Sequence, residues 1–238
     1  MVAQGSAGGR SSKTGANVRI KRDRRVARFP NSPGIAALSA LPPAIQVLAA
    51  GSTLARVYYA RRPYPQSWDQ LRYFGPLNSR WDHHVPDADG NPQAQQRGIY
   101  YAAADAKTCL AEVFQVTRRI DRVFQAPWLV VFETGAALKL LDLTGDFATR
   151  MGASTAIHSG SRGRARGWAR DLYEAYPEVQ GILYAASMHG GQPAIALNER
   201  ALMEPLFPEH PLFHRALADD LMVDALKHAA RALGYALR

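Results

Sequence analysis

Residues 100–114 read YYAAADAKTCLAEVF, and Tyr101, Cys109 and Glu112 are among the side chains there that could do chemistry. Glu112 stands out as a carboxylate among apolar neighbours. An ionised carboxylate buried without a partner is costly. Glu112 therefore either points to water or lines a pocket where negative charge is wanted. In a pocket it would supply a needed anion, or form one half of the carboxylate pair that many glycosidases use. The sequence does not pair it with Glu133, Asp142 or any other acid, so both readings stand at this level.

The remaining reactive side chains have plainer readings. Cys109 lies on an apolar helical stripe, which favours a small core residue over a nucleophile. His83 and His84 are adjacent, so their rings point apart on most backbones. No Cys or acid cluster stands nearby at ligand spacing, and no metal site is expected. SGSRGRARGWAR, residues 159–170, has glycines and arginines but not the order of a P-loop, and no GxGxxG follows a strand. The His189-Gly190-Gly191 run reads as a turn.

The elements that must position these groups follow from periodicity. LARVYYA (54–60) and RGIYYAA (97–103) are strand candidates by their β-branched and aromatic content. Asp105 is placed to cap a helix on which Cys109, Leu110, Val113 and Phe114 form one stripe, with Glu112 beside it. PWLVVFET, ALKLLDLTG, VQGILYAAS and PAIALNE are further strands. RGRARGWARDLYEAYP is a helix ended by Pro177. PPAIQVLAAG (42–51) reads as a short helix between Pro43 and Gly51. Residues 61–96 read as long polar loops. Residues 218–237 predict an amphipathic helix with Leu221, Met222, Ala225, Leu226, Ala229 and Leu233 on its stripe. Strands and helices alternate irregularly, which predicts an α+β fold with a mixed or largely antiparallel sheet and flanking helices.

The chain has 238 residues and a formal charge of +9. Residues 1–30 hold eight basic side chains and one acid, leaving 21 basic against 19 acidic in the remainder. The excess charge is thus a property of the tail. Residues 1–33 are expected to be a disordered basic tail and residues 34–238 a single domain. Nucleic acid would be touched only through that tail, if at all. The single cysteine excludes an intramolecular disulfide and fits a reducing compartment. No apolar run reaches membrane-spanning length. Arg24-Arg25 before a mildly apolar run faintly suggests an export signal, but Pro42-Pro43 interrupt it. A cytoplasmic location is expected.

Four segments in order, LARVYYA, FGPLNSRWDHH, GIYYAAADAKTCLAEVF and GILYAAS, resemble the RES domain family over roughly residues 52–205. The third is the most specific, with Leu-Ala-Glu eleven residues after a strand tyrosine. The resemblance selects Glu112, Arg56 and Ser187 as catalytic residues and Arg56, Arg80, Tyr101 and Ser187 as substrate-binding ones. It implies an ADP-ribosyltransferase-like fold and an enzyme that consumes NAD by hydrolysis or phosphorolysis of the nicotinamide–ribose bond. It also implies a toxin whose antitoxin covers the active site. Arg56 and Arg80 would hold phosphates, Tyr101 would stack on nicotinamide, and Glu112 would stabilise the ribosyl cation. Ser187 would hydrogen-bond the ribose or the amide. NAD is then a substrate, phosphate a candidate co-substrate, and no further cofactor or metal is expected. Two alternatives remain: transfer of ADP-ribose to a macromolecule, and a non-catalytic binding module with a nucleic-acid-contacting tail. A homo-oligomer fits any of these. The polar stretch between His84 and Gly98 is expected to reshape the entrance or the specificity of the pocket.

Overall fold

The computed structural model describes residue 1 and residues 29–62 and 66–238. The expectation for the basic tail falls almost wholly on residues 2–28, outside the described residues. Within the described part of that segment, Phe29 and Pro30 pack against the domain. Phe29 is 5% exposed, stacks on Trp168, and is followed by Pro30, whose carbonyl accepts from Trp168 Nε1 at 2.9 Å.

Among the described residues the strands are β1 (Ile45–Leu48), β2 (Thr53–Tyr59), β3 (Arg72–Gly75), β4 (Gln93–Ala103), β5 (Arg119–Ile120), β6 (Pro127–Glu133), β7 (Leu138–Asp142), β8 (Gly181–Ala185), β9 (Pro193–Asn198), β10 (Phe213–Ala216) and β11 (Ala236–Leu237). The helices are α1 (Ile35–Ser39), α2 (Ala106–Val113), α3 (Phe147–Arg150), α4 (Arg162–Ala175) and α5 (Val223–Leu233). The main sheet runs β1-β7-β8-β9-β4-β2-β6-β10, with β3 beside β4. β7 and β8 are parallel and every other pair in it is antiparallel. The α+β expectation, with a mostly antiparallel sheet and flanking helices, is met.

Both faces of the sheet are covered, and β2 shows how. Side chains alternate across a strand, so Ala55 and Val57 enter one core with Leu110, Trp168 and Leu226 from the helices. Leu54 and Tyr58 enter the other with Tyr100, Phe132 and Leu206, and Phe207 packs against it. α2 starts as expected, with the Asp105 carboxylate accepting from the Thr108 N–H at 2.9 Å.

Three expectations need correction. PPAIQVLAAG forms the edge strand β1, because its Ile-Gln-Val-Leu run pairs antiparallel with β7. Residues 61–96 are not all loop: they contain β3 and the start of β4. At the C-terminus Asp219 caps a 3-10 turn, so α5 begins at Val223. Leu221 is 75% exposed, while Met222, Leu226, Ala229 and Ala230 face the core. No described helix is long and apolar enough to cross a membrane.

Candidate active site

β2 and β4 are paired at a single position, Ala55–Ala103. Each stays with its outer partner: β2 runs seven residue pairs along β6, and β4 runs five along β9. The sheet is thus two half-sheets joined at one point. Past that point a cavity of about 610 Å³ lies between them, within the usual range for ligand sites. Val57 and Tyr59 line it from β2, Ile99 and Tyr101 from β4, and Thr108 and Glu112 from α2.

Thr108 and Glu112 are four residues apart, hence on one face of α2. The loop after β8 straps across that face. Gly190 and Gly191, at φ 56° and 76°, supply the left-handed backbone that turns it. The Glu112 Oε1 accepts from the Met188 N–H at 3.0 Å and from Ser187 Oγ at 3.4 Å, and Gln115 Nε2 lies 3.4 Å from Oε2. The carboxylate is therefore held facing the cavity by groups that only donate to it.

The same loop is pinned a turn earlier. Thr108 Oγ1 lies 2.7 Å from both Asp105 Oδ2 and His189 Nδ1. Burial pushes the Asp105 pKa up, but hydrogen bonds from Thr108 outweigh it and the net shift is down. An ionised carboxylate only accepts, so the hydroxyl proton goes to Asp105. His189 must then carry its proton on Nδ1 and donate it to Thr108. The HGG run is a turn, as expected, with a histidine that anchors it.

The arginines play different parts. Arg56, 6% exposed, lines the cavity but also holds the 66–70 segment. Its Nη1 donates to the Gln70 carbonyl at 2.9 Å and to the Trp68 carbonyl at 3.4 Å, and Nη2 to Gln66 Oε1 at 3.2 Å. Its guanidinium lies 4.0 Å over the Tyr100 ring. Arg80 uses Nη1 on the Ile157 and Gly160 carbonyls at 3.2 and 2.8 Å. Burial lowers its pKa, as does Arg162, while the nearby Glu112 carboxylate opposes them.

Arg80 sits on a segment fixed by Asp82. This buried carboxylate takes an ion pair from Arg72 at 2.7 Å, the Leu77 N–H at 2.6 Å, and a hydrogen bond from His84 Nδ1. Burial pushes its pKa up, but His84, Arg72 and Leu77 hold it at about 2. Burial, then Asp82, raises the Tyr101 pKa, so its hydroxyl stays neutral.

The structure thus brings Arg56, Arg80, Tyr101 and Glu112 to one cavity; Ser187 does not line it and meets the site through its hydrogen bond to Glu112. Sequence reasoning missed Thr108, Arg162 and Tyr184. Tyr184 is buried and faces the same cavity, its pKa raised by burial and then by Glu112. It lies three residues before Ser187 in a segment already singled out. Residues 85–97 do not line the cavity, which corrects their expected role at its entrance: their C-terminal part lengthens β4. Among the described residues no group of three or more His, Cys, Asp or Glu side chains is placed to hold a metal ion.

The sequence model of the RES domain matches residues 53–217, from the start of β2 through β10. A chain in the crystal structure of the M. tuberculosis MbcT–MbcA toxin–antitoxin complex has the same fold, with a TM-score of 0.53 at 16% sequence identity. The match covers 83% of this chain and 96% of that one. No curated protein matches this chain.

Proposed function

Because this chain belongs to the RES domain family, we propose that it acts on NAD, breaking the bond between nicotinamide and ribose, as the toxin of a toxin–antitoxin pair. One observation carries the reading. Among the described residues lining the cavity, Glu112 is the one acid, and it shares the space with Arg56, Arg62, Arg72, Arg80 and Arg162. Such a cavity suits a polyanion with one centre that turns cationic as it reacts.

NAD fits that description. Its diphosphate calls for guanidinium groups, which pair with phosphate oxygens in a planar fork. Its nicotinamide ring is cationic while attached to ribose, and Tyr101 offers an aromatic face. Cleavage builds positive charge on the ribose, and a fixed carboxylate stabilises that charge most when it needs no reorganisation. The donors from Met188 and Ser187 supply that fixation for Glu112. Nicotinamide departs neutral, so one carboxylate suffices and no general acid is required. Water or phosphate then captures the ribosyl cation. The antitoxin partner is proposed by analogy with the M. tuberculosis toxin–antitoxin complex, whose chain shares this fold.

The test uses purified protein and NAD labelled in its adenylate half, with and without inorganic phosphate. Nicotinamide release with label in ADP-ribose or ADP-ribose 1″-phosphate supports the reading and names the acceptor. Label on protein or nucleic acid moves the acceptor to a macromolecule. Intact NAD with folded protein in every condition overturns it.

A further inference from the structure

Five arginines line the cavity, and an account of their donors separates them. Arg72 is engaged by Asp82 and by the Phe74 carbonyl. Arg56 makes three hydrogen bonds to residues 66–70. Arg62 is exposed, donates through Nε to Gln125 Oε1 at 2.8 Å, and lies 3.9 Å over the Tyr59 ring. Arg80 anchors one nitrogen, Nη1, and its Nη2 and Nε make no hydrogen bond among the described residues. Arg162 makes one long hydrogen bond, 3.4 Å from Nη1 to the Asn78 carbonyl. A guanidinium carries five N–H donors, so Arg162 keeps four unengaged and Arg80 three; Arg62 also keeps four, but it is exposed and stacked on Tyr59.

These two are also held by one frame. The Gly160 carbonyl that fixes Arg80 lies two residues before Arg162, the first residue of α4. Arg162 in turn touches Asn78, two residues before Arg80. The Arg162 charge is near enough to lower the Arg80 pKa, against the opposing Glu112 carboxylate, and a bound anion taking the idle donors of both would relieve that repulsion further.

We infer that Arg162 and Arg80 together form the subsite for a diphosphate group, and that Arg162 is a substrate-binding residue of this chain. The inference deepens the NAD reading, on which it rests, by dividing the labour. Arg56, given a phosphate-holding part by the family resemblance, is chiefly a positioning residue for the 66–70 wall. The subsite favours dinucleotides and ADP-ribose over nicotinamide mononucleotide, which carries a single phosphate.

The experiment measures ADP-ribose binding by calorimetry for wild type, Arg162→Ala, Arg162→Lys and Arg80→Ala, beside nicotinamide release from NAD and from nicotinamide mononucleotide. Losing a charge-assisted pair predicts binding weakened about ten- to a hundredfold in Arg162→Ala. KM for NAD should rise by a similar factor, with kcat and the unfolding midpoint little changed and Arg162→Lys recovering part of the loss. A structural role alone would lower the unfolding midpoint and spare that split. Nicotinamide release by wild type with an unaltered KM in Arg162→Ala overturns the inference and leaves the NAD reading intact. Arg162-dependent ADP-ribose binding without any NAD cleavage does the reverse. Wild type that neither binds ADP-ribose nor cleaves NAD overturns both.

Discussion

The backbone N–H of Met188 donates to Glu112 Oε1 at 3.0 Å, tying the loop after β8 to the one acid among the described residues of the cavity. One turn earlier on α2, Thr108 is tied to His189 of the same loop at 2.7 Å. The position of the carboxylate is thus set by a strap with two fastenings, one on Glu112 itself and one behind it.

Loosening the rear fastening tests this. Thr108→Val keeps the side-chain shape but removes the hydroxyl between Asp105 and His189. Asp105 still caps α2 through the Thr108 N–H, so stability should fall by only about 1–2 kcal/mol. The freed strap should lower kcat for nicotinamide release about tenfold, by analogy with other mispositioned catalytic groups, and Thr108→Ser should restore it. Equal kcat for Thr108→Val and wild type would show that the strap does not position Glu112.

Arg56→Ala removes the Nη1 donor to the Gln70 carbonyl and the longer of two bonds to the Trp68 carbonyl, which keeps the Tyr100 hydroxyl at 2.9 Å. Losing these charge-assisted hydrogen bonds and the packing of a buried guanidinium over Tyr100 predicts a loss of roughly 1–3 kcal/mol in urea unfolding. Proteolytic nicking should appear in the segment that Arg56 holds, residues 66–70. If Arg56 only bound ligand, the variant would be as stable as wild type and equally resistant to protease.

How much of this is legible in the sequence depends on the reach of each interaction. The β2, β4 and α2 elements are legible, because period-two alternation, the apolar stripe and the Asp105 cap are local signals. β1 is not, because a four-residue apolar run between proline and glycine suits a helix as well as a strand. Its pairing with β7, far along the chain, decides the matter. The Arg56–Gln70 and Arg162–Asn78 contacts depend on how the loops pack, which composition does not encode. Phe29 is hidden for another reason: one aromatic after a run of basic residues carries no periodicity, and only Trp168 gives it a place.

Acid should destabilise the fold in a defined window. Asp82 and Glu199 are both held at about 2, well below their ordinary values of 3.8 and 4.5. Burial opposes the lowering in both. For Asp82 the lowering groups are His84, Arg72 and Leu77; for Glu199 they begin with His83, Tyr173 and the Gly98 N–H. A depressed carboxylate contributes stability above its unfolded pKa and loses it as pH falls through its folded value. Each should contribute on the order of 2 kcal/mol, present at neutral pH and lost between about pH 4.5 and pH 2. Urea unfolding across that range should show the decline, and Asp82→Asn should make it shallower. A wild-type stability flat from about pH 5 to about pH 2.5 would contradict the part given to Asp82.

The most direct measurement is nicotinamide release from NAD by wild type and Glu112→Gln, each verified as folded. The substitution keeps the shape and removes the charge that steadies the ribosyl cation. Rapid release by wild type is expected, with a fall of about a hundred- to a thousandfold or more in Glu112→Gln and ADP-ribose binding retained. Equal rates in the two proteins would contradict the role assigned to Glu112 and, with it, the central claim for this site.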